Sequence, residues 1–117
     1  MEIKDFKTED YQVSYKQEAQ TIVLSGSLRL SGLEETNPVI KLLNDVLDED
    51  PPNLIFDLRD LEFLNSSGIN MLSKFVIKVR QKQNVSLKIL ASHQIPWQGK
   101  SLKNLQKLLP SLELEIQ

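Results

Sequence analysis

The sequence predicts an α/β fold in the order β-β-α-β-α-β-α-β, built on a mixed, mostly parallel sheet. Three observations carry this. Short apolar or alternating runs are separated by longer stretches in which apolar residues recur every three or four positions. Strands that alternate with helices imply parallel pairing. The first two strand segments are joined only by a turn, which makes them an antiparallel hairpin at one edge. The 117 residues make one domain, 1–117, with a single core.

Residues 1–10 are mixed and charged, and read as a loose arm or a first edge segment. Tyr11, Val13 and Tyr15 alternate with polar residues, the period of a half-exposed strand. Residues 17–20 make a turn, and the second strand runs from Thr21 through Leu28 and Leu30. Gly26 inside it marks a bulge or a close backbone approach. Asn37-Pro38 then reads as a helix start, with Asn as cap and Pro at the first helical position. Val39, Leu42, Leu43, Val46 and Leu47 form the buried stripe of this helix. The acids Asp48, Glu49 and Asp50 at its end oppose the helix dipole and predict a solvated, frayed terminus.

The run Leu54-Ile55-Phe56 predicts an inner strand covered on both faces. Leu61, Phe63 and Leu64 are expected to carry the chain back under the fold. Asn65 and Ser66 are both good helix caps. In the next helix, Ile69, Leu72, Phe75, Val76 and Val79 form a buried stripe, and Asn70, Ser73, Lys74, Lys78 and Gln81 fall opposite. Ile77 lies among these polar residues and is a possible partner contact. Asn84 closes the helix. Val85, Leu87, Ile89 and Leu90 form a strand, residues 91–99 a loop, and residues 100–109 a short helix. Leu112, Leu114 and Ile116 form a terminal edge strand.

Composition narrows the function. A net charge of −2 gives no general attraction to nucleic acid or to an anionic membrane. With no cysteine there are no disulfides, thiolate metal sites or cysteine nucleophiles. No apolar run approaches the ~20 residues that span a bilayer, and the N-terminus lacks signal-peptide character, so a cytoplasmic protein is expected. The single His93 has no second histidine or cysteine to make a metal site, and no triad partners are evident. Gly99-Lys100-Ser101 ends like a P-loop, but Gln94 stands where the motif needs glycine, so a loop entering a helix is expected. Trp97 is expected to be a loop anchor or part of a contact surface. No cofactor, metal or catalytic residue is expected.

Asn65-Ser66-Ser67-Gly68 is the one place where small polar residues gather between two strongly apolar elements. By pattern alone it is a helix cap. With Asp57-Leu58 and Phe63 at their spacing, the stretch resembles the phosphoacceptor region of the STAS domain, as in bacterial anti-sigma factor antagonists. The family pattern is a strand ending in Asp-Leu, an aromatic residue, then Asp-Ser-Ser/Thr-Gly and a helix. Here Asn65 stands in place of the Asp. The element order extends the resemblance over residues 11–116, and Gly26 falls where the family has a Gly-rich strand end. The acid-rich continuation there is replaced by Ser27-Leu28-Arg29-Leu30.

The resemblance implies a STAS-like domain, with helices largely on one face of the sheet. It implies a non-enzymatic signalling protein that switches partners to regulate transcription. Ser66 would be the phosphoacceptor. Asn65, Ser67, Gly68, Ile69, Asn70, Ser73 and Ile77 would be partner-binding or supporting positions, with Gly68 keeping the helix start small for close approach. An anti-sigma-type serine kinase and a PP2C-like phosphatase are the implied partners of a monomer or weak dimer. The alternative is a STAS-like scaffold or ligand-binding module that is never phosphorylated, suggested by Asn65 and the altered 27–30 segment. A hydrolase using Ser66 is a third reading, and it lacks an evident general base.

Overall fold

The computed structural model describes residues 5–30 and 32–117, leaving out the side chains of Leu33 and Glu35. Six strands form one sheet in sequential order: β1 (Phe6–Lys7), β2 (Tyr11–Lys16), β3 (Thr21–Leu28), β4 (Asn53–Leu64), β5 (Ser86–Ala91) and β6 (Glu113–Ile116). β1–β2 and β2–β3 are antiparallel, and the remaining three pairings are parallel. Each parallel pairing is reached through one helix: α1 (Gly32–Asp48), α2 (Ser66–Lys82) or α3 (Pro96–Leu108). Right-handed crossovers that step in one direction along a sheet place their helices on the same face. That is the mixed sheet, with helices largely on one face, that the STAS resemblance implied. Among the described residues no helix is long and apolar enough to cross a membrane.

The core lies between the sheet and the helices. Leu54, Phe56 and Leu58 of β4 are buried with Leu72, Phe75, Val76 and Val79 of α2, as the helical stripe predicted. Met71 joins them. Phe56 and Phe75 meet edge to face at 5.4 Å between ring centroids. Phe75→Ala is therefore expected to cost about 3–5 kcal/mol in urea unfolding. A cost near zero would mean that α2 is rotated from the phase described.

Several expectations need correction. The central strand is not covered on both faces. Ile55 and Asp57 point to the helix-free side and are only half-buried. Asp57 is clamped there by Arg59, through Nε at 3.0 Å and Nη2 at 2.9 Å. The Arg59 hydrogen bond holds its carboxyl below the ordinary carboxylate value. Of the two readings of residues 1–10, the edge segment holds at Phe6–Lys7, which pairs with β2, and the loose arm does not; residues 1–4 lie outside the described residues.

α1 begins at Gly32, and Pro38 sits inside it. A proline N–H is missing wherever Pro stands, so Asn37-Pro38 looked like a first turn. Thr36 Oγ1 donates to the Gly32 carbonyl at 2.8 Å in the preceding turn. The acidic end of α1 is exposed, but it is tied down. Lys82 of α2 donates to the Leu47 carbonyl at 3.1 Å and pairs with Asp50. A cation from a neighbouring helix thus meets the negative end of the α1 dipole. At the end of α2, Gln83 rather than Asn84 is the C-cap, with φ 64°.

β4 is longer than expected, because Leu61, Phe63 and Leu64 still pair with Gly26, Ser27 and Leu28. The β3–β4 register slips twice, between Val23/Ser25 and between Gly26/Ser27. Gly26 lies at this irregularity with φ +90°, and a Cβ there would sit 2.3 Å from the Asp10 carbonyl oxygen. Both roles suggested for Gly26, bulge and close approach, are met. α3 starts at Pro96, so Trp97, Gln98 and Gly99 belong to its first turn instead of a loop. Gly99-Lys100-Ser101 lies within this helix.

Candidate functional site

The turn between β4 and α2 is built around Asn65. Its backbone N–H donates to the Leu28 carbonyl at 3.3 Å, which continues the parallel β3–β4 ladder. Its side chain then adds a further rung. Nδ2 donates to the Leu30 carbonyl at 2.9 Å, and Oδ1 accepts from Leu30 N at 3.4 Å and Gly68 N at 3.0 Å. The Asn65 carbonyl accepts from Ile69 N at 2.9 Å. Asn65 is thus the helix cap and the clasp between the β3 exit and the start of α2. Ser66 is the first helical residue, not the cap.

This geometry explains asparagine at this position. A carboxylate could still accept from Gly68 N, but it could not donate to the Leu30 carbonyl. Asn65→Asp is expected to lower stability by about 1–2 kcal/mol at neutral pH. Loss of the Leu30 bond and the oxygen–oxygen contact outweigh the dipole gain at the helix start. Thermal unfolding checks this, and a variant as stable as the parent would show that the Leu30 bond contributes nothing.

Ser66 and Ser67 are exposed. Among the described residues the Ser66 hydroxyl has no hydrogen-bond partner. The first turn of α2 contains no acid, so the helix dipole and the N–H groups of Ser66 and Ser67 form an uncompensated positive end. Asn70 and Ile77 are exposed on the same stripe as Ser66, at helical spacing, with Ile77 38% exposed. Ser73 is half-buried there, and its hydroxyl donates to the Ile69 carbonyl at 3.0 Å.

The other predicted positions face inward. Gly68 is buried, and a Cβ on it would lie 2.2 Å from Leu64 Cδ1. The close approach that requires glycine is made by the protein's own strand, which corrects its place on a partner surface. Ile69 is half-buried and packs against the core. Asn65 spends its side-chain bonds internally. The structure therefore brings Ser66, Ser67, Asn70, Ser73 and Ile77 to one surface, with Asn65, Gly68 and Ile69 supporting it from below.

Two features escaped the sequence reading. Phe63 is 39% exposed at the end of β4, with the Arg29 guanidinium 4.7 Å above its ring. Gln98 is fully buried and bonded at both ends of its amide. A polar residue three positions into a helix that begins at proline was the only signal for it. Trp97 does act as an anchor, with Nε1 donating to the Glu62 carbonyl at 3.1 Å. His93 is exposed beside the C-terminal carbonyl of Gln117. Among the described residues no group of three or more His, Cys, Asp or Glu side chains is placed to hold a metal ion.

No family model matches the sequence, and no curated protein matches it significantly. Solved structures do match. Apo-SiaC of Pseudomonas aeruginosa superposes with a TM-score of 0.71 at 15% identity, covering 97% of this chain and 98% of that one. The complex of the diguanylate cyclase SiaD with its activator SiaC, from the same organism, contains a chain matching at 0.69 and 19% identity, over 95% and 94%. An anti-sigma factor antagonist from Mycobacterium paratuberculosis matches at 0.56 and 22% identity, over 88% and 83%. The sheet order and the helices on one face are those of the STAS-like fold that this chain shares with SiaC and with an anti-sigma factor antagonist.

Proposed function

We propose that this chain is a regulatory protein-binding module that docks through the exposed face of α2 and exchanges partners when Ser66 is phosphorylated. The observation that carries the reading is the position of Ser66: exposed, without a hydroxyl partner among the described residues, at the first helical position of α2. A phosphate there adds roughly −1.5 to −2 charge beside free N–H groups and the positive end of the dipole, so the fold can accept it. It also places a solvated dianion on the docking face, which repels or blocks a partner that bound the free hydroxyl. Ser66 is a substrate in this scheme, not a catalyst. A serine-kinase regulator modifies it, and a PP2C-like phosphatase resets it.

The output has two readings. The anti-sigma factor antagonist supports control of transcription. SiaC, whose match covers more of both chains, activates a diguanylate cyclase, and this supports direct control of an enzyme. The test is a phosphosite map of the protein purified from its native cell. Phosphate on Ser66 is the expected result, and Ser66→Ala then serves as bait for the partner. Unmodified Ser66 under several growth conditions would favour the module that is never phosphorylated.

A further inference from the structure

The helix that starts at Ser66 has an unusual charge. α2 carries Lys74, Lys78, Arg80 and Lys82 and no acid in 17 residues, within a chain of net charge −2. Only Lys82 finds a carboxylate among the described residues. Lys78 donates to the neutral Asn44 amide at 2.9 Å, so its charge is not offset. Lys74 and Lys78 stand one turn apart on the rim of a cleft between α1 and α2. The cleft is about 100 Å³, with Ile40, Met71 and Phe75 as its apolar floor. That is somewhat smaller than the roughly 150 Å³ cavity that admits benzene, and it has room for one aliphatic side chain. Lys74 also borders the Ser66–Asn70–Ile77 stripe, so cleft and stripe form one continuous surface.

We propose that this cleft seats an acidic amphipathic helix of the partner protein, with one apolar side chain in the cleft and carboxylates one turn apart on Lys74 and Lys78. The proposal rests on the docking reading above and specifies the chemistry of the partner. Charge complementarity selects an acidic segment, and the apolar floor between the lysines selects an amphipathic one. It also gives the switch its sign. Ser66 lies eight residues from Lys74, about 12 Å along the helix. A dianion there repels the end of an acidic segment laid along α2, whereas it would attract a basic one. With screening over about 8 Å in physiological salt, the repulsion acts near Ser66 and leaves the lysine pairs intact.

The probe is a fluorescein-labelled helical peptide of about 18 residues, long enough to hold a helix. Leu recurs at i, i+3, i+4 and i+7, and Glu fills the flanks. A counterpart carries Lys in place of every Glu. Anisotropy titrations with the full chain are expected to show binding of the Glu peptide only, weakening as salt rises. ¹⁵N chemical-shift changes are expected to centre on Ile40, Asn44, Lys74, Ile77 and Lys78. The double variant Lys74→Glu/Lys78→Glu should bind the Glu peptide about tenfold more weakly and gain affinity for the Lys peptide. That gain shows that the variant is folded.

Lys103→Glu/Lys107→Glu on α3 should bind as the parent does. Equal binding of both peptides, shifts centred on Lys103, Lys107 and Ile116, or no binding would each overturn the proposal. So would self-association of the chain that the lysine reversals abolish, which would assign the cleft to a second copy. Glu-peptide binding at the cleft with Ser66 unmodified in the cell would overturn the phosphoswitch alone. Phosphate on Ser66 with no peptide binding would overturn the cleft alone.

Discussion

Gln98→Leu is expected to lower the unfolding free energy by about 4 kcal/mol, a large part of the roughly 5–15 kcal/mol that holds a domain of this size. The reason lies in the length of β4. Its pairing with β5 covers Asn53 to Asp57 and then stops, while β4 runs on to Leu64 along β3. Past Asp57 the carbonyls on the β5 side of β4 meet no strand among the described residues. Gln98 meets them. Its Nε2 donates to the Leu58 carbonyl at 2.6 Å and to the Leu61 carbonyl at 2.9 Å, while Oε1 accepts from Ser92 N at 2.8 Å.

The first turn of α3 thus stands in for the missing strand, helped by the Trp97 bond to Glu62. Leucine keeps the volume and removes all three bonds. Each buried group left unpaired costs about 1–3 kcal/mol. Gln98→Glu should lose more at neutral pH, because a carboxylate can donate to neither carbonyl, and should recover in part in acid, when one O–H returns. Urea unfolding decides the matter. A Leu variant within about 1 kcal/mol of the parent would show that water reaches those carbonyls.

Gln98 also marks where sequence reading stops. Patterns with a period were legible. The α2 stripe, the presence of β2 and the exposed Ile77 follow from spacing, and spacing is a local property, although Ser14 is buried where the β2 alternation expected an exposed face. The register slips in β4 were not legible, because they depend on which residues of β3 lie opposite. The residue that answers them arrives some 40 positions later. Pro38 misled for a related reason: proline is cheapest in a first turn, so local chemistry placed the helix start there although the chain was already helical from Gly32. At the site, the motif placed Ser66 at the surface and marked its stripe. It could not show that Gly68 yields to Leu64 or that Asn65 bonds inward to Leu30, since both partners are set by the β3–β4 pairing.

Ser66→Asp is expected to weaken binding of the partner captured on Ser66→Ala by about a hundredfold, with the fold unharmed. The two effects separate because Ser66 is not the cap. Asn65 keeps its bond to Gly68 N, and an acid at the first helical position of a turn without acids meets the positive end of the dipole, gaining about 0.3–1 kcal/mol. The loss of binding comes from outside the fold. A fixed negative charge on a docking face costs several kcal/mol against a partner whose end there is shaped for a hydroxyl, and about 2.7 kcal/mol is a hundredfold.

Calorimetric titration and thermal unfolding of the same preparation read both quantities. Ser67→Asp is the control, because it adds the same charge one residue along, and it should weaken binding less. Unfolding of the Ser66 variant would show that the hydroxyl is structural. Unchanged binding would move the docking face away from Ser66 while leaving the Asn65 clasp as the explanation of why this turn is built from small polar residues.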